Sequence, residues 1–148
     1  MACASIASAC ICMLAQAQVD LYSLEAAYVY NSTQFTQWHA TRASGPLTVC
    51  VTPRTELGAA LAKLDGRTVS DRAWRVQPVP DGAALAACNV LIVEDAASNA
   101  ASKSASASEL PILVIRAAEA DTGEGPYIVA LVRDGDRLRF DIDNKEAA

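Results

Sequence analysis

Two short apolar runs set the terms for this fold: Leu47 to Val51 (Leu-Thr-Val-Cys-Val) and Cys88 to Val93 (Cys-Asn-Val-Leu-Ile-Val). Each is rich in β-branched residues and bounded by turn formers, the pattern of a strand buried on both faces. Such strands need helices above and below, and the neighbouring segments supply them. Glu56 to Leu64 is amphipathic through Leu57, Ala60, Leu61 and Leu64, and stops at Asp65-Gly66. Asp81 is placed to cap a short Ala/Leu helix ending at Ala87. Ala96 to Glu109, built of Ala, Ser and Asn around Lys103, predicts a weak, shallowly packed helix and the most mobile element of the chain.

Other elements extend the pattern. An opening helix is expected from Val19 to Trp38, with Leu21, Leu24, Tyr28, Phe35 and Trp38 as one apolar stripe. Leu110 to Ile115 reads as a third buried strand. Thr68-Val69 is a scrap of strand. Trp74 to Val79 alternates as a half-buried one, with Pro78 pushing it to an edge or a strand end. Tyr127 to Val132 and Arg137 to Asp143 predict a hairpin turning at Asp134-Gly135. Leu138, Phe140 and Ile142 should point inward there, while Arg137, Arg139, Asp141 and Asp143 face water. Strands alternating with helices predict an α/β domain: a three-layer sandwich with a mixed, mainly parallel sheet and a C-terminal antiparallel β-hairpin.

The chain has 148 residues, enough for one core, and no linker or repeat divides it. Twelve Lys and Arg against seventeen Asp and Glu leave a net charge of −5, which argues against nucleic acid or an anionic membrane as partner. Arg72/Arg75 and Arg137/Arg139 are too few and too interleaved with acids to make a basic face. Residues 1–17 are expected to be a signal peptide with an atypical, uncharged n-region. Ala2 to Leu14 is apolar and small, and Ala15-Gln16-Ala17 is an A-x-A site that leaves residues 18–148 as a single mature domain.

Cys50 and Cys88 are the two cysteines outside that leader, 38 positions apart. Two readings stand. In an exported protein they form a disulfide, worth ~4 kcal/mol in the chain-entropy model for a loop of this size. In a cytosolic protein they are two buried free thiols, which is ordinary for core cysteine. Metal binding would need more ligands than two cysteines and one histidine provide, and no cofactor motif is present. His39 is the one histidine, so any triad chemistry would have to run through it, and no Gly-x-Ser-x-Gly accompanies it. The reading is a protein with no catalytic residues. Glu94-Asp95 after the Cys88 strand looks like the acidic strand end of a receiver domain, but the order of elements is wrong for one. A small-ligand site would be sought at Thr52-Pro53-Arg54 and Glu94-Asp95, the C-terminal ends of the parallel strands.

The segment Glu25 to Trp38, with Tyr30-Asn31 leading to Phe35-x-x-Trp38, resembles the opening helix of the YfiR/HmsC-like periplasmic proteins. Pro46 to Val51 is similar to the strand that follows in that family. Ala87 to Val93 is similar to its later cysteine-bearing strand, and Ile128 to Ile142 to its hairpin. The resemblance runs from about Glu25 to Asn144. It implies a periplasmic repressor that binds the periplasmic sensor domain of a membrane-bound diguanylate cyclase, limiting cyclic-di-GMP signalling and biofilm formation. It also implies an OmpA-like outer-membrane lipoprotein as a sequestering partner, and it leaves a homodimer open. The family's strand-linking disulfide falls on Cys50 and Cys88, while the second disulfide of some members has no counterpart after Cys88. The alternative function is an exported α/β domain that binds a small ligand.

Overall fold

A computed structural model describes residues 20–145. The expected leader, residues 1–17, lies outside the described residues. The chain begins with α1 (Leu21–Phe35), capped by Asp20, whose carboxylate accepts from Tyr22 N at 3.2 Å. β1 (Leu47–Val51), α2 (Glu56–Ala62), β2 (Thr68–Val69) and β3 (Arg72–Pro78) follow. Next come β4 (Val90–Val93), α3 (Ala96–Ala107), β5 (Leu113–Arg116), β6 (Val129–Asp134) and β7 (Arg137–Ile142).

These strands form a seven-stranded sheet in the order β2-β3-β1-β4-β5-β6-β7. The five central strands are parallel, while β2 and β7 add antiparallel edges. From β1 the chain steps outward to β3, then returns past β1 to β4. Right-handed crossovers running in opposite directions must deposit their helices on opposite faces. Accordingly α1 and α2 cover one face, and the turn Gly82–Ala87 with α3 covers the other. Ala26, Val29, Leu57 and Leu61 press onto Leu47, Val49, Val90, Ile92 and Ile115 in the first core layer. Leu85 and Ala105 press onto Cys50, Leu91 and Val114 in the second. This is the expected three-layer α/β sandwich with its terminal hairpin.

Several local expectations shift. The opening helix is shorter than Val19 to Trp38. Near its end Ser32, Thr33 and Thr36 each donate a hydroxyl to a carbonyl three or four residues back, and Thr36 leaves the helix in extended backbone. Its buried face is Glu25, Ala26, Val29 and Thr33 rather than the aromatic stripe, because small residues let the helix lie close on the sheet. Phe35 is 86 % exposed. The second helix ends at Ala62, two residues early, and Asp81 makes no side-chain cap bond to the 3-10 turn that replaces the short helix after it.

Differences at the sheet follow from packing. β3 is second from the edge, with Pro78 at its last position beside Val51. α3 buries Ser98, Asn99, Ser102 and Ala105, so it packs closely through small residues instead of shallowly. β5 starts only at Leu113. In the hairpin, Asp134 pairs with Arg137, so the two loop residues are Gly135 and Asp136, with Gly135 at φ +64°. Leu138 is buried as expected, but Phe140 and Ile142, further along the edge strand of the sheet, are 59 % and 48 % exposed.

Candidate binding surfaces

The expected cysteine pair sits at the centre of the sheet. β1 and β4 are parallel neighbours with Val49 opposite Val90, which brings Cys50 beside the residue that enters β4. The Cys50 and Cys88 sulfurs are 1.98 Å apart and the Cα atoms 5.8 Å apart, so the structure joins them. Both residues are fully buried, packed with Leu85 and Leu91, and Gln77 Nε2 lies 3.3 Å from Cys50 Sγ. The bridge ties together the strands on either side of the topological switch point. Its sulfurs have no route to a substrate.

The C-terminal ends of the parallel strands are occupied by the protein's own bonds. Thr55 caps α2 by accepting from Gly58 N at 2.9 Å, and its hydroxyl donates to Glu94 Oε2 at 3.0 Å. Asp95 caps α3 in a reciprocal box, accepting from Ser98 N at 2.8 Å while Ser98 Oγ accepts from Asp95 N at 3.0 Å. Glu94, partly removed from water, has its pKa pushed up to about 7, chiefly by burial; the Thr55 bond opposes that rise, and the charges of Glu25 and Asp95 add to it. Thr52, Pro53 and Arg54 border this arrangement, and Arg54 is exposed. Of the residues expected to surround a ligand, Asp95 thus serves as the cap of α3 and Glu94 accepts from the cap of α2.

A smaller cavity of about 250 Å³ opens beside the start of α1, lined by Asp20, Glu25, Glu119 and Arg133 among others. Glu25 is buried there and accepts from Ala118 N at 2.7 Å. Burial raises its pKa, the Ala118 bond opposes the rise and Glu119 adds to it. Arg133 and Glu119 form an exposed ion pair at 2.9 Å.

A larger cavity, about 1050 Å³, is an apolar groove at the opposite end of the sheet, by the N-terminal ends of β5 and β6. Tyr28 and Phe35 of α1 form one wall, and Phe140 and Ile142 of β7 the other, with Ile112 and Ile128 between them. Tyr28 and Phe140 meet ring to ring at 6.5 Å between centroids. His39 is exposed on the rim of this groove, just before the turn Ala40–Arg42. Among the described residues no group of three or more His, Cys, Asp or Glu could hold a metal ion. The sequence reading missed this face, yet its signal was present. The inward row Leu138, Phe140, Ile142 is longer than the one helix beside it can cover.

The family described as YfiR/HmsC-like matches residues 22–148, essentially the whole described domain. No curated protein and no solved structure matches the chain.

Proposed function

Because the chain belongs to the YfiR/HmsC-like family, we propose that it is an exported regulator which binds the periplasmic sensor domain of an inner-membrane diguanylate cyclase and represses it. Cyclic-di-GMP synthesis, and with it biofilm formation, falls while the complex holds. Residues 1–17 direct export and are removed, leaving 18–148 as the working domain. An OmpA-like outer-membrane lipoprotein relieves the repression by sequestering the protein.

The observation that carries this reading is the family match, which extends from the first turn of α1 through the hairpin. Two features are consistent with it. A buried Cys50–Cys88 bond suits an oxidising compartment. No helix among the described residues is long and apolar enough to cross a membrane. The function is exerted through a protein surface, and the apolar groove of about 1050 Å³ is a concave surface large enough to receive a partner's side chains.

The test has two parts. Intact mass of protein recovered from the periplasm should show loss of residues 1–17, and a gain of two hydrogens on reduction. Purified protein should bind the isolated sensor domain of a GGDEF membrane protein encoded beside it, and deletion of its gene should raise cellular cyclic-di-GMP. A full-length cytosolic product that leaves cyclic-di-GMP unchanged on deletion would overturn the reading.

A further inference from the structure

Arg42 and Arg72 stand close together at the N-terminal end of the sheet, and neither has a carboxylate partner among the described residues. The ion pairs there are Arg75–Asp65, Arg133–Glu119 and Arg139–Asp134. Arg72 opens β3 and is only 6 % exposed. Its Nε donates to Gly45 O and its Nη2 to Pro46 O, both at 2.9 Å, and Nη2 reaches Asn89 Oδ1 at 3.4 Å. Its guanidinium carbon lies 5.7 Å from the centre of the Trp38 ring. Nη1 is buried and has no partner. Arg42 donates from Nη1 to Cys88 O at 3.0 Å and from Nη2 to Ala86 O.

Neutral carbonyls satisfy donors but leave the charge uncompensated. Burial lowers the Arg72 pKa, and the Arg42 charge lowers it further, so the two cations feel each other. Both line an open cavity of about 440 Å³ that also presents Thr41, Ser44, Thr48 and Asn89 and contains no Asp or Glu in its wall. A buried guanidinium with a free N–H, a second arginine and a rim of hydroxyls is the donor set that a planar or tetrahedral oxyanion requires.

We propose that this cavity binds a small oxyanion, the phosphate or carboxylate head of a soluble metabolite, between the Arg72 guanidinium and Arg42. The cavity exceeds the size of a bare ion, and its Leu110 and Pro111 also border the apolar groove. The rest of the ligand therefore has an apolar path to follow. Nothing in this assignment depends on the cyclase reading, and protein that fails to bind a cyclase can still bind the anion.

The experiment uses the disulfide-bonded chain and two probes, inorganic phosphate and acetate, each titrated at ionic strength held constant with chloride. Tryptophan emission, sensitive to Trp38 beneath Arg72, and the thermal midpoint are read together. A saturable response to phosphate alone assigns a phosphate head, and one to acetate a carboxylate head. Asn89→Asp retains an oxygen for Thr48 N and sets a fixed carboxylate against Arg72, so it should weaken the response at least tenfold. Arg42→Gln should do the same, and decides the matter if the Asp variant does not fold. The proposal is overturned if neither anion exceeds chloride, or if the folded variants respond like the parent.

Discussion

Asn89 grips Thr48 from two sides: its backbone N–H donates to Thr48 O at 2.9 Å, and its side-chain Oδ1 accepts from Thr48 N at 2.9 Å. The side chain thereby supplies the acceptor that a strand neighbour would give, and extends the β1–β4 ladder one step past Val49 and Val90. Asn89 also follows Cys88, so the same step seats the bridge. Asn89→Ala should destabilise the fold by about 1–3 kcal/mol, the usual range when a buried donor loses its acceptor. Urea unfolding measures it, and a loss below half a kcal/mol would mean that water replaces the amide.

Reduction should lower stability substantially. The bridge closes a 38-residue separation across the two central strands. The chain-entropy model gives ~4 kcal/mol for such a loop, which corresponds to a midpoint lower by roughly 10 °C or more in a domain of this size. The Cys50→Ser/Cys88→Ser pair should behave like the reduced protein, and thermal scans with and without reductant measure both. Since both sulfurs are fully buried, native protein should react slowly with a thiol-exchange reagent unless partly unfolded.

The parallel sheet was legible because Leu47–Val51, Cys88–Val93 and Leu110–Ile115 are mainly apolar and alternate with helical segments, a pattern that only a parallel sheet covered on both faces can satisfy. What the pattern could not convey is where covering stops. Phe35 keeps helical spacing with Tyr28, yet it lies on the last turn, past the edge of the sheet layer, and ends in solvent. Phe140 and Ile142 share a face with Leu138, but only Leu138 joins the buried core. The arginine pair was invisible for a different reason. Arg72 and Arg75 look alike along the chain, but Arg75 meets Asp65 in solvent while Arg72 is fastened to carbonyls 26 and 27 residues away. No local pattern encodes a bond between a side chain and distant backbone.

Gly58 should resist replacement even though it lies inside a helix. Alanine there would ordinarily gain up to ~1 kcal/mol of helix propensity. An added Cβ, however, would meet Thr55 Oγ1 at 2.9 Å and Thr52 O at 3.0 Å, and the second of these is fixed backbone. Thr55 Oγ1 is also the cap of α2 and the donor to Glu94. Gly58→Ala should therefore destabilise by about 1 kcal/mol or more by disturbing the cap, read as a lower urea midpoint at an unchanged slope.

Stability should fall as pH rises through neutrality, and Glu94 should account for much of the change. Its folded pKa of about 7 lies above the ordinary carboxylate value of 4.5. Between those values the native protein holds a proton that the unfolded chain has released. The unfolding free energy then decreases with rising pH over that window, and the full penalty is present above it. Glu25 is raised as well, also by burial first, and acts in the same direction. Glu94 keeps some contact with water, so the expected cost is discounted to about 1–2 kcal/mol at pH 8 relative to pH 5. Glu94→Gln removes the ionisation while leaving an oxygen to accept from Thr55. It should match the parent near pH 5, exceed it in thermal midpoint at pH 8, and flatten the profile between. A variant less stable than the parent at pH 8 would show that the Thr55 bond to a charged carboxylate outweighs the burial of that charge.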